Sequence, residues 1–271
     1  MTANRLNARL AALRAENRKA LALFLTSGYP ALDAAPPLAL ALEEAGADII
    51  ELGMPFSDPL ADGPVIQESS SRALANGTTI RTIFQDVRRI RASSGVPLVL
   101  MGYVNPILSY GPGKFFAECA ACGVDGVILP EITLEERGRF GAAIDGNGLC
   151  NILLVAPTTP AERIRSIDAA SSGFLYCVST TGVTGEGGKA ASGDFLPRVK
   201  SAAVRNPVLV GFGISTPEQA AHSAAVTDGV IIGSALLKRI GRGEDEPSLR
   251  EWVGSIRAAL DGAEIASLRS Q

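Results

Sequence analysis

The chain has 271 residues, 46% of them hydrophobic and 20% charged, with a formal net charge of −3. This composition supplies ample core material, excludes a disordered chain and argues against a general nucleic-acid binder. No apolar run reaches membrane-spanning length, and the charged start MTANRLNARLAALRAENRK has no signal-peptide apolar segment, so no membrane partner and a cytoplasmic location are expected.

In chain order the pattern is strand, loop, helix, repeated. Residues 3–16 form an amphipathic helix with Leu6, Leu10 and Leu13 on one side. Ala20–Thr26 is a first strand, and the next helix has Asp33 as its cap, Pro36 and Pro37 in its first turn and Gly46 at its end. Residues 48–53 are the second strand, followed by a long loop and a helical segment over about 66–75. Thr79 caps a helix that runs to about residue 93, and residues 97–102 are strand three. Residues 103–113 read as a loop, 114–122 as a helix, 125–129 as strand four and 134–144 as helical. Strand five is 149–155, a helix follows to about residue 170, and strand six is 173–178. A glycine-rich loop, 179–188, precedes a helix at 194–203 and strand seven at 207–211. Thr216-Pro217-Glu218 opens the next helix, Gly229–Ile232 is strand eight, Gly233-Ser234 opens another helical stretch, and a final helix spans about 248–260. Eight apolar strands with intervening helices predict an α/β chain, a (β/α)8 TIM barrel with an extra N-terminal helix and a single domain over 1–271; a doubly wound parallel sheet is the alternative.

Four cysteines and one histidine, His222, bound the metal chemistry. Cys119-Ala-Ala-Cys122 has redox or metal spacing, but no second ligand pair follows it. Together with Cys150 and Cys177, these residues read as small apolar fillers, and no metal site is expected.

The stretch IIELGMPFSDPLADGPVIQ, 49–67, carries the chemistry. Glu51 ends an apolar run, and a carboxylate placed there must be solvated, paired or protonated, because burying it alone is costly. Asp58 and Asp62 follow on a loop stiffened by Pro55, Pro59 and Pro64. An isolated Asp on such a loop is more often a turn-former, yet at the carboxyl end of barrel strands Glu51 and Asp62 could face one another across a pocket. Glycine-bearing turns after strands six, seven and eight (Gly182 to Gly185, Gly211 to Ser215, Gly233-Ser234) fit a phosphate-bearing ligand, because glycine admits an anion close to backbone N–H groups and helix starts.

ELGMPFSDPLADGPVIQ closely resembles the signature of the tryptophan synthase alpha subunit family. Tyr103-Val-Asn-Pro106, STTGVTG (179–185), GFGIS (211–215) and Gly233-Ser234 resemble that family's later motifs in the same order, so the resemblance spans essentially the whole chain. It implies a (β/α)8 barrel and a lyase of tryptophan biosynthesis. That enzyme cleaves indole-3-glycerol phosphate, by a retro-aldol reaction, to indole and glyceraldehyde 3-phosphate. It implies no metal or cofactor in this subunit, and a beta-subunit partner that carries pyridoxal phosphate, receives the indole and completes an alpha2beta2 heterotetramer. It further implies Glu51 as general acid–base, Asp62 on the indole N–H, and Tyr176 near the reacting centre. Phe24, Ile66, Leu100, Tyr103 and Leu129 are implied for the indole pocket. Thr184, Gly185, Gly213, Gly233 and Ser234 are implied around the phosphate, with Thr184 on a mobile lid. The proline-rich loop 55–64 and Asn105-Pro106 look like the family's docking surface. Pro130-Glu131-Ile132-Thr133 and Thr180 depart from the family's common pattern. The competing readings are a stand-alone lyase, a non-catalytic regulatory phosphate-binding barrel, and another sugar-phosphate enzyme such as an isomerase.

Overall fold

The computed structural model describes residues 4–178, 180–181, 189–190, 194–211 and 213–268. Helix α1, Arg5–Ala15, is capped by Asn4, whose side chain accepts from the Leu6 and Asn7 N–H groups. The Asn4 amide also donates to the carbonyls of Asp125 and Gly148, at 2.7 and 3.0 Å. The helix is thereby pinned across the end of the sheet.

Strands β1 (Ala20–Thr26), β2 (Ile49–Gly53), β3 (Leu98–Met101) and β4 (Gly126–Ile128) lead to β5, which comes in two pieces, Cys150–Ile152 and Leu154–Val155. Strands β6 (Leu175–Val178), β7 (Val208–Gly211) and β8 (Gly229–Ile232) complete the set. All pairings in this sheet are parallel, and β1 lies between β2 and β8. The first piece of β5 pairs with β4 and the second with β6, so the eight-strand ring closes through strand five. The interruption has a local cause. The Leu153 N–H donates to the Ser171 hydroxyl at 3.1 Å instead of to a neighbouring strand.

Alternation assigns the faces. Phe24, Glu51 and Val99 stand in register, as do Thr26, Gly53, Met101 and Ile128 one step further along. The inner residues Ala20, Ala22, Ile49, Val99, Ile128, Ile152, Leu209 and Ile231 pack with Leu6, Leu10 and Leu13 of α1. Helix α1 therefore stoppers the N-terminal end of the barrel, and each of its buried leucines contributes roughly 1.5–3 kcal/mol. The opposite strand faces, with Leu25, Leu52, Leu98, Leu100 and Val127, belong to the larger core under the outer helices.

The helices are α2 (Ala35–Glu44), α3 (Pro64–Ala75), α4 (Ile80–Arg91), α5 (Val104–Tyr110), α6 (Pro112–Cys122), α7 (Gly141–Gly146), α8 (Ala161–Ala170), α9 (Phe195–Ala202), α10 (Pro217–Ala224), α11 (Ser234–Gly241) and α12 (Glu246–Leu268). Together they make the predicted (β/α)8 TIM barrel with its extra N-terminal helix. Among the described residues, no helix is long and apolar enough to cross a membrane.

Several local expectations are corrected. Asp33 does not cap α2, which starts from Ala34 without a side-chain cap, its first turn set instead by proline. The predicted loop 103–113 is largely helical: α5 occupies Val104–Tyr110 and α6 already begins at Pro112. Pro106 sits in the first turn of α5, where its missing N–H would have had no partner anyway. The expected helix over 134–144 is broken into a 3-10 turn, Arg137–Arg139, and the short α7, because Gly138 and Gly141 weaken helical continuity there. The last helix is longer than expected at both ends.

Candidate active site

Glu51 sits inside β2 on the inner face, fully buried. Neither of its carboxyl oxygens has a hydrogen-bond partner among the described residues. An ionised carboxylate without partners is disfavoured in such a place. Burial accordingly pushes its pKa up to about 8, so Glu51 holds its proton at neutral pH.

Asp62 is presented by the proline-stiffened loop. Its N–H donates to the Pro59 carbonyl at 3.0 Å, and its own carbonyl accepts from the Gln67 amide at 2.9 Å. The Tyr103 hydroxyl donates to Asp62 Oδ2 at 3.0 Å and itself accepts from the Ala61 N–H at 3.0 Å. The Tyr103 ring lies 5.4 Å from that of Phe56, which braces it. Burial raises the Asp62 pKa, the Tyr103 hydrogen bond opposes it, and the balance is about 6. Two carboxyl groups at one barrel mouth thus differ in protonation at pH 7: Glu51 is neutral and Asp62 mostly ionised.

Tyr176, on β6, is nearly buried. Burial raises its pKa well above 10, and the Glu51 and Asp62 charges add to the rise, which places all three groups in one electrostatic neighbourhood. A Cβ added at Gly211 would lie 2.5 Å from the Tyr176 hydroxyl, so the absence of a side chain there is what admits the phenol. Phe24 is packed in the same way: a Cβ at Gly53 would lie 2.4 Å from its Cζ.

Phe24, Asp62, Ile66, Met101, Tyr103 and Pro130 line one cleft at this end of the barrel. Four of the residues predicted from the sequence for the site meet here. Two do not. Leu100 stands in register with Leu52 and Leu25, on the face opposite Glu51, and is buried in the outer core. Leu129 follows β4 and does not line the cleft, whereas Ile128 is the inner-face residue, in register with Met101. The sequence reading missed Met101 and Pro130. Alternation from Val99, which pairs with Glu51, would have found Met101, but β3 is apolar on both faces and its periodicity does not distinguish them.

At the glycine end, Gly213 has φ +80°, a backbone conformation that side chains rarely adopt. Gly233 precedes α11 and Ser234 is its first residue, so the helix's unpaired N–H groups open toward the same end of the barrel as Gly211 and Gly213. Thr184 and Gly185 lie outside the described residues, as do Ser179 and Phe212 of the neighbouring motifs. All four cysteines are buried free thiols, which agrees with their reading as apolar fillers, and among the described residues no group of three His, Cys, Asp or Glu could hold a metal ion.

Residues 10–256 match the family model described as tryptophan synthase alpha chain. The chain is 48% identical to the tryptophan synthase alpha chain of Alkalilimnicola ehrlichii, covering 97% of this chain and 100% of the relative. It is 47% identical to that of Geobacter sulfurreducens, covering 95% and 99%. Among solved structures, a Mycobacterium tuberculosis tryptophan synthase chain superposes with a TM-score of 0.87 at 40% identity, covering 95% of this chain and 98% of that one. The tryptophan synthase subunit alpha of Legionella pneumophila gives 0.85 at 35% identity, covering 96% and 99%. On the strength of these matches and the barrel that carries them, this chain belongs to the tryptophan synthase alpha chain family.

Proposed function

We propose that Glu51 is the acid–base group, and Asp62 the charge-stabilising group, in the cleavage of indole-3-glycerol phosphate to indole and glyceraldehyde 3-phosphate. The observation that carries this reading is the buried Glu51 carboxyl group, unpartnered and protonated at neutral pH, at the same mouth as an ionised Asp62 held by Tyr103.

The chemistry needs one group that first gives and then takes a proton. Neutral Glu51 delivers its proton to indole C3, turning the ring into a cationic electron sink. The Asp62 carboxylate accepts the indole N–H and stabilises the positive charge that forms there. Glu51, now a carboxylate in an apolar site and hence a stronger base, takes the proton from the hydroxyl on the glycerol carbon bonded to the ring. The O–H electrons become the new carbonyl bond. The carbon–carbon bond breaks, and its electrons restore the aromatic indole. Glu51 ends protonated, ready for the next turnover.

Phe24, Ile66, Met101 and Tyr103 supply the apolar walls an indole ring requires. Gly213, Gly233 and Ser234, with Thr184 and Gly185, are assigned to the phosphate. This subunit is assigned no cofactor, and pyridoxal phosphate belongs in this reading to a beta-subunit partner, in an alpha2beta2 assembly. Support for a partner comes from apolar surface on the loop after β2 and on α5: Leu60 is 86% exposed and Leu108 45%, with Phe56 and Pro106 half-buried in the same two segments.

The test is indole release from indole-3-glycerol phosphate by the purified chain, with and without a beta subunit. Weak cleavage that rises on adding the partner supports the reading. Cleavage unaffected by the partner identifies a stand-alone lyase, and no cleavage in either condition excludes the assignment of Glu51 and Asp62.

A further inference from the structure

We propose that a second small-molecule site, for an amphipathic organic anion, lies at the opposite end of the barrel. A cleft of about 400 Å³ opens there between α1, the turn that follows it and the C-terminal end of α9. Its place in the fold is fixed by Ala20, the first residue of β1, and Pro207, just before β7. These are the N-terminal ends of strands, away from Glu51, Asp62 and the glycine turns. The volume falls within the roughly 300–1,000 Å³ of small-molecule sites.

The apolar part of the lining is small: Leu10 and Leu13 are buried beneath it, Pro207 is half-buried, and Val204 stands 81% exposed at the rim. Around it are five cations: Arg14, Arg18, Lys19, Lys200 and Arg205. The only carboxylate in the lining is Asp228, and it is already engaged. It pairs with Lys200 and accepts the Val208 N–H at 2.7 Å. Lys19 is also engaged, donating to the Thr227 carbonyl at 2.8 Å, and Arg18 reaches Glu16 and Asp261 at 3.4 Å each.

Two guanidinium groups remain. The exposed side chain of Arg14 has no hydrogen-bond or ion-pair partner among the described residues. The Arg205 guanidinium makes, among the described residues, only a 3.5 Å contact with the Ala169 carbonyl. A guanidinium offers a planar fork of donors that matches carboxylate, sulfonate or phosphate oxygens. In a chain of net charge −3, this cleft concentrates the opposite sign in one concave place. A fully polar anion would leave Val204 and Pro207 uncovered, and a neutral apolar ligand would leave both forks unused. The complementary ligand has a compact apolar body, which covers Val204 and Pro207, and one anionic head, which takes Arg14 and Arg205.

The probe is 8-anilinonaphthalene-1-sulfonate, an aromatic sulfonate, titrated into the full chain by calorimetry and fluorescence at low salt. The expected result is one stoichiometric site whose affinity falls at least about tenfold in the Arg14→Gln/Arg205→Gln protein. A charge-matched control, Arg81→Gln/Arg242→Gln, should bind as the unmodified chain does. Val204→Asp, which sets a negative charge at the rim without touching either arginine, should weaken binding as well. The probe should also raise the thermal midpoint of the unmodified chain and not that of the Arg14/Arg205 variant. Absence of binding, equal losses in both double variants, or full binding by the Arg14→Gln/Arg205→Gln protein would each overturn the proposal.

Discussion

The Tyr103 hydroxyl donates a 3.0 Å hydrogen bond to Asp62 Oδ2 while accepting one from the neighbouring Ala61 N–H. Tyr103 therefore both orients the Asp62 carboxylate and stabilises its charged form. Without it, burial acts unopposed and the Asp62 pKa rises above about 6. In the unmodified chain, kcat/KM should follow a bell between an acidic limb near 6, where Asp62 must ionise, and an alkaline limb near 8, where Glu51 must keep its proton. Tyr103→Phe should move only the acidic limb, upward, and lower kcat/KM at pH 7 by roughly tenfold. An acidic limb that stays in place would show that another group controls it.

Glu51 makes a claim on stability as well as on chemistry. Its carboxyl group titrates near 8 in the folded chain against an ordinary value of 4.5. Below pH 4.5 the group is protonated in folded and unfolded chains alike and carries no penalty. As pH rises from 4.5 toward 8, the unfolded chain ionises and the folded chain does not, so stability is lost over that window and levels off above it. Glu51→Gln cannot ionise. It should abolish cleavage while melting at a higher temperature than the unmodified chain at pH 8, with the difference shrinking toward pH 4.5. At about 1.4 kcal/mol per tenfold in acidity, the gap at pH 8 amounts to several kcal/mol. A Gln variant no more stable at pH 8 would mean that Glu51 is solvated or paired in solution.

Leu100 and Met101 separate the two faces of β3 experimentally. Leu100→Ala removes a fully buried side chain from the outer core and should cost roughly 2–5 kcal/mol of stability, with KM little changed in the folded protein. Met101→Ala opens the wall of the cleft and should raise KM for indole-3-glycerol phosphate several-fold, at a smaller loss of melting temperature. The reverse pattern would place β3 one residue out of register.

That pair also marks where the sequence stops being legible. The barrel could be read because each strand is a short apolar run set off by turn residues. Glu51 stood out because an ionisable group followed such a run. Asp62 could be placed opposite Glu51 from its position on the loop after strand two, but its role on the indole N–H needed the resemblance. The wall residues were harder: 98–101 is apolar throughout, so alternation carries no signal, and only pairing with β2 assigns Met101 inward. The break in β5 depends on the Ser171 hydroxyl, 18 residues from the Leu153 N–H it captures. Helix α5 was hidden behind Asn105-Pro106, a pair that reads as a turn until Pro106 is seen in a first helical turn.

Gly211 tests whether Tyr176 is held where the chemistry would use it. An added Cβ would sit 2.5 Å from the Tyr176 hydroxyl and 2.9 Å from two of its ring carbons. Tyr176 is only 5% exposed, so its ring has no open space to swing into. Gly211→Ala should therefore displace the phenol, lower kcat and destabilise the chain by roughly 1–3 kcal/mol through overpacking. Adding Tyr176→Phe removes the atom in the closest clash and leaves the ring contacts at 2.9 Å. It should restore part of the melting temperature but not kcat, if the hydroxyl itself serves the reaction. Recovery of both would make the role of Tyr176 one of packing alone. A Gly211→Ala protein with normal melting and normal kcat would show that the ring yields freely, and that its position does not limit cleavage.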